Sequence, residues 1–318
     1  MPEGVRLAAS AMGTRFELVL HADDPLRLRA AGEEAVREIL ALHRGLSAFD
    51  RASDVSRLNR EAAARPVRID TRLFDLLLLC RDLWRDTRGA FDVTIGPMMK
   101  ALGFRGRAHD SHACAQARAS VGFKHVELDE AAQTVRYTRQ GVEIDLGGVG
   151  KGFALDCAAE VLRDSGVENA FLHGGASTSI AIGRDAGGRP WRVALDDSPD
   201  APVVALHDQA LSVSASTGRT TATDRGDVIG HIVHPGSGAC PARFGPAAAL
   251  ADSAAVSDAW STAAAIEWPE PGHNSVSLAL RTGEGEAAAW RLRGPWPLTN
   301  PEQGHLVWEQ SHARTRSA

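Results

Sequence analysis

The sequence predicts an α+β fold of mixed sheets with flanking helices, carried by one domain over residues 1–318. Two observations point to it. Segments with strand and helix periodicity alternate, but without the regular strand–helix–strand rhythm of a doubly wound sheet. No internal repeat or linker divides the chain, because the Gly- and Pro-rich stretches at 183–190 and 235–246 read as surface loops.

Taken in order, Phe16, Leu18 and Leu20 alternate with their neighbours and predict a strand over 14–21. From 25 to 46, Leu28, Ala35, Val36, Ile39, Leu42 and Leu46 recur at helical spacing. A second helix is expected from Thr71, capped by Asp70, to Arg88, with Leu73, Leu77 and Trp84 on one face and Gly89 ending it. Val142, Ile144 and Leu146 suggest a short strand running into Gly147-Gly148-Val149-Gly150. A helix carrying Phe153, Ala154, Ala158, Val161 and Leu162 follows and stops at Gly166. Strands are expected at 169–172, 191–195 and 211–214, a last helix at 254–266, and closing strands at 275–281 and 287–292.

Composition narrows the function. A net charge of −5 with dispersed basic residues leaves no electrostatic footprint for nucleic acid. The single Tyr and nine Phe offer few stacking platforms for bases. Cys80, Cys114, Cys157 and Cys240 match no metal spacing and read as small buried or partly buried thiols. The longest apolar run, at 76–79, is far too short to span a bilayer. The first twenty residues lack an apolar signal core and a lipobox-like Cys, so the expected location is the cytoplasm.

Three segments carry candidate chemistry. In VEIDLGGVGKG, Asp145 precedes a Gly-rich turn with Lys151 at a helix start. Such a turn can cradle a diphosphate through backbone N–H groups and a mobile cation, although the Walker spacing is absent. In SDAWST, Asp258 and Thr262 are four apart, on one helical face, where they could supply oxygens to Mg²⁺. In GHIVHP, alternation puts His231 and Val233 on one strand face and Ile232 and His234 on the other. A single His there could serve as general base. Met12 and Phe91, in two further Gly-containing turns, could line a ring pocket. Taken alone, each of the three segments reads better as ordinary turn, helix-surface or structural-His chemistry.

Together, AMGTRFEL, LSAFDRASDVSRLNR, GAFDVTIGPMMKALGF, IDLGGVGKGFALD, FLHGGAS, HIVHPGSG and SDAWSTAAA follow one another in an order that resembles the ApbE family, the FAD:protein FMN transferases. The resemblance spans about 11–266 and leaves 267–318 assigned by pattern alone. It implies a T-fold-like architecture and Mg²⁺-dependent transfer of FMN from FAD to a Ser or Thr of an acceptor protein, with AMP released. By the same resemblance Met12, Phe49, Ala90, Phe91, Asp92, Asp145, Lys151, His231 and Ile232 contact FAD. Gly148 (through its carbonyl), Asp258 and Thr262 hold Mg²⁺, and His231, Lys151 and Asp258 carry the chemistry. Three positions depart from the family pattern: His234 stands where Asp is usual, and Ser257 and Gly150 where Ala is usual. Two other readings share these residues, a hydrolase splitting FAD into FMN and AMP, and a protein that binds FAD without cleaving it.

Overall fold

The computed structural model describes residues 4–106, 108–215, 219–240, 245–271, 275–283, 288–300 and 306–308. Parts of the expected 235–246 loop and 287–292 strand, and most of the tail beyond 300, lie outside these residues.

The chain begins with a hairpin of β1 (Gly4–Ala11) and β2 (Thr14–His21), joined by Met12 and Gly13. Both connecting residues have positive φ, 50° and 75°, as a tight two-residue hairpin turn demands. Helix α1 (Pro25–Gly45) is capped by Asp24 and buries Leu28, Ala35, Ile39 and Leu42, the stripe read from the sequence. After α2 (Asp54–Glu61) and β3 (Val67–Arg68) comes α3 (Thr71–Asp86), capped by Asp70 as expected. Then follow α4 (Gly96–Ala101), α5 (Ser111–Arg118), β4 (Val126–Asp129) and β5 (Thr134–Tyr137); β3, β5 and β4 pair into a small sheet.

The second half alternates differently. Helix α6 (Gly150–Asp164) leads to β6 (Ala170–Gly174) and β7 (Thr178–Ile182), then to the two-stranded sheet of β8 (Trp191–Ala194) and β9 (Val203–Leu206). Strand β10 (Ala210–Ser214) precedes a second small hairpin, β11 (Thr220–Ala222) and β12 (Val228–Gly230). Strand β13 (Ala247–Ala251), helix α7 (Ala254–Glu267), β14 (Ser277–Thr282), β15 (Ala289–Arg293) and β16 (Leu306–Trp308) complete the described elements.

Among the described residues nine strands form one sheet in the order β1-β2-β6-β7-β10-β13-β14-β15-β16, antiparallel except for β15–β16. This is the mixed sheet with flanking helices that the sequence predicts. One face packs on α1, α6 and α7, and buries Phe16, Leu18, Leu172, Ala210 and Leu278. The other carries Ala181, Leu211, Leu250 and Leu292 against Val204 and Leu206 of the β8–β9 hairpin. Two side-chain bonds tie β10 to α7 across the first face, Ser212 Oγ to Ser257 Oγ and Ser214 Oγ to Ser261 Oγ, both 2.9 Å.

Two expectations change. Residues 142–146 form no strand, and their one bridge runs from Glu143 to Ile95. The backbone groups of Ile144 are taken instead by the Asn59 side chain, at 2.7 and 2.9 Å. The 231–234 segment is not an alternating strand either, because it leaves the hairpin after Gly230 and buries Ile232 and Val233 together. The described cysteines are all free and buried or partly buried. Among the described residues no helix is long and apolar enough to cross a membrane.

Candidate active site

The first sheet face ends where α6 and α7 cross. Gly152 makes that crossing possible, since a Cβ there would lie 2.2 Å from the Ala254 carbonyl oxygen. The helices then cap one another. Asp156 of α6 accepts from Ser253 Oγ (2.7 Å), Ala254 N (2.7 Å) and Ala255 N (2.8 Å), satisfying the orphan donors that open α7. In return Asp258 of α7 reaches the start of α6, where its Oδ2 accepts from Gly152 N at 3.3 Å and Lys151 Nζ at 3.4 Å. A carboxylate at a helix N-terminus beside an ammonium is electrostatically favoured.

Thr262, one turn further along α7, donates its hydroxyl to the Asp258 carbonyl at 3.1 Å, which leaves its lone pairs free to face outward. Gly148 sits against it, with its Cβ direction 3.3 Å from Thr262 Oγ1 and 3.5 Å from Phe91 Cε2. One carboxylate, one hydroxyl and a turn carbonyl are hard oxygen donors of the kind Mg²⁺ accepts when substrate phosphates complete its shell. Among the described residues no group of three or more His, Cys, Asp or Glu is placed to hold a metal. The chemistry of these donors, hard oxygens without nitrogen or sulfur, fits a Mg²⁺-like cation.

These groups open onto a cavity of about 1210 Å³, above the ~300–1,000 Å³ typical of a small-molecule pocket. The site residues implied by the family resemblance all line it, namely Met12, Phe49, Ala90, Phe91, Asp92, Asp145, Gly148, Lys151, His231, Ile232, Asp258 and Thr262, whereas His234 does not. Local structure explains several placements. Met12 is held in its left-handed conformation by donating its N–H to His43 Nδ1 at 3.1 Å, so α1 fixes the hairpin tip. Buried Thr87, at the end of α3, accepts from Phe91 N at 3.1 Å and sets the 87–91 turn. The Asp92 carboxylate is engaged inside the protein by Thr94 N (2.8 Å), Thr94 Oγ1 (2.6 Å) and Phe123 N (3.0 Å); burial pushes its pKa up and these donors oppose the rise. Asp145 Oδ1 accepts from Gly147 N at 2.9 Å and shapes the Gly-rich turn.

His231 follows β12, and its Nδ1 lies 3.2 Å from the Arg219 carbonyl. A carbonyl only accepts, so Nδ1 carries the proton and Nε2 of the neutral ring is the basic nitrogen. Burial lowers the His231 pKa; the Arg219 carbonyl opposes that, while the nearby Arg219 and Lys151 charges lower it further. His234 has a different task. Its Nδ1 accepts from Gly236 N (3.0 Å) and Ser237 N (3.3 Å), and its Nε2 bonds Glu267 at the end of α7. The residue that replaces the family's Asp thus pins the 234–237 turn to α7. Ser257, a second departure, is buried and occupied with Ser212 and the Ala254 carbonyl.

A sequence model of the ApbE family matches residues 12–281. The chain belongs to the ApbE family. Among its relatives, the FAD:protein FMN transferase of Klebsiella pneumoniae is 25% identical over 299 residues, covering 88% of this chain and 85% of that protein. One from Rhodobacter capsulatus is 31% identical over 271 residues, covering 81% and 51%. The crystal structure of the ApbE protein from Thermotoga maritima superposes with a TM-score of 0.77 at 26% identity, over 87% of this chain and 94% of that one.

Within this ApbE site, sequence reasoning missed Gly152, Asp156, His43 and Arg105. Asp156 and Gly152 lie inside a quoted motif, and their pairing with the start of α7 was the signal available. Asp156→Ala is expected to lower stability by about 2 kcal/mol, the scale of a lost N-cap with extra unmet donors. It should also weaken any Mg²⁺ response by loosening the α6–α7 crossing. Chemical denaturation checks the first effect, and an unchanged midpoint would show that water replaces the cap without loss.

Proposed function

We propose that the chain transfers the FMN half of FAD to a Ser or Thr hydroxyl of an acceptor protein. The observation that carries this reading is the convergence on one cavity of ring-wall residues, a Gly-rich turn with Lys151, an oxygen donor set and a neutral His. FAD lies with its ring against Met12, Phe49 and Phe91 and its diphosphate over the turn from Gly147 to Lys151. Lys151 and the first N–H groups of α6 bind the phosphate charge. Asp258, Thr262 and the Gly148 carbonyl would hold Mg²⁺, which when bound supplies neutralisation of the diphosphate.

His231 Nε2 takes the proton from the acceptor hydroxyl. The freed oxygen forms a bond to the FMN phosphorus, the bond from that phosphorus to the AMP oxygen breaks, and AMP leaves. Phosphoryl transfer asks mainly for positioning and charge complementarity, which a buried, mutually capped helix pair provides.

The test is AMP release from FAD with Mg²⁺ or EDTA, with and without a candidate Thr-containing acceptor, alongside the acceptor's mass. Acceptor-dependent AMP release with FMN mass on the acceptor is the expected result. Equal release without any acceptor would make the chain a hydrolase, and bound but uncleaved FAD would make it a binding protein.

A further inference from the structure

We propose that Arg105 is a positioning residue that fixes the ring wall and the phosphate cradle of the flavin site relative to each other. The inference rests on the flavin reading given above. Arg105 follows α4, and its side chain is only 7% exposed. A buried guanidinium has to be matched by partners, and here they come from two separate stretches of chain. One nitrogen, Nη2, donates to the Ala48 carbonyl at 2.9 Å, and Cζ lies 5.4 Å from the centroid of the Phe49 ring. The other, Nη1, is 3.6 Å from Asp145 Oδ2 and 3.8 Å from Glu143 Oε2.

Each contact answers a specific need. Phe49 lines the cavity yet is 70% exposed, so core burial does not hold its ring in place. Stacking on the guanidinium does, and a planar cation under an aromatic ring is a favourable pair. Asp145 opens the turn that receives the diphosphate, where a lone carboxylate would repel the ligand. Arg105 offsets that charge. Glu143 is shared, since its Oε1 pairs with Lys100 at 2.5 Å. Neither Nη1 nor Glu143 Oε2 has a hydrogen-bond partner, although both are buried, so these charges are matched by attraction without directional bonds. One side chain thereby joins the 47–50 loop to the 143–148 segment, and the distance between ring wall and phosphate cradle follows from its length.

The test is titration of FAD, FMN and ADP into the full chain in EDTA, by calorimetry, for the parent, Arg105→Lys, Arg105→Met and Arg105→Met with Asp145→Asn. Arg105→Met should weaken FAD at least about tenfold, the effect of losing a stacked, charge-matched contact, and should weaken FMN and ADP as well. Arg105→Lys keeps the charge without the planar stack, so ADP affinity should recover and FMN affinity should not. Adding Asp145→Asn to Arg105→Met should restore part of the ADP affinity. A purely packing role would move all ligands together in both single variants, and that pattern overturns the proposal. So does parent-like binding by Arg105→Met. If Arg105→Met fails to fold, the FMN-against-ADP split in Arg105→Lys decides. A parent chain that binds none of the three ligands, either in EDTA or with Mg²⁺ restored, overturns the flavin reading and this inference with it.

Discussion

Asp258→Ala is expected to lose nearly all FMN transfer, by about a hundredfold to a thousandfold in kcat, the scale seen when a preorganised charge-stabilising group is removed. The residual rate should no longer respond to Mg²⁺ against EDTA. The carboxylate is almost fully buried, and its Oδ2 meets both Lys151 and the first turn of α6. Deleting it leaves the ammonium of Lys151 unpaired beside a positive helix end, at a cost of about 1–3 kcal/mol. Asp258→Asn separates the two effects. It keeps the shape and one acceptor but not the charge, so it should lose less stability than Asp258→Ala while transfer is still lost. Parent-like turnover in Asp258→Asn would remove this carboxylate from the chemistry.

His231→Ala is the second large effect. FAD binding should persist while transfer slows by about a hundredfold to ten-thousandfold, the usual contribution of a general base. The pH dependence has a definite sign. Because burial lowers the folded pKa of His231 below 6.5, the ring stays neutral and basic into mildly acid solution, and the acid limb of the parent rate should fall below pH 6.5. The same shift acts on folding. As pH drops through 6.5 the unfolded chain takes up a proton that the folded one does not. Stability is therefore intact above 6.5 and declines from there down to the lowered folded pKa. His231→Ala should lack both the acid limb in rate and this part of the stability slope. A variant transferring at the parent rate would place the base elsewhere.

Much of this was legible in the sequence, and the gaps have physical causes. Helices α1, α3 and α6 show apolar positions at helical spacing and end signals, and β2 alternates. Strands β7 and β13 are buried on both faces, so TSIAI and AAALA show no alternation, and β13 is almost all Ala. Helix α5 buries nothing and has no stripe to read. The 142–146 segment has strand-like periodicity, but Asn59, more than eighty residues earlier, takes both backbone groups of Ile144 at its centre. The site followed the same rule. Residues named from contiguous motifs line one cavity, whereas Arg105 and His43, which also line it, meet partners distant in sequence and leave no local pattern.

Helix α7 has ten buried residues among its fourteen, most of them Ala or Ser, and is enclosed by the sheet and α6. Elements packed in this way open only when the whole domain opens. The amide protons of Asp258 and Thr262 should then exchange with solvent at the rate of global unfolding, far more slowly than those of the exposed hairpin β11–β12 that leads to His231. On the proposed reading, the phosphate end of the site would be a fixture and the proton-accepting end a movable part, so an acceptor chain could enter from the side of His231 without disturbing bound FAD.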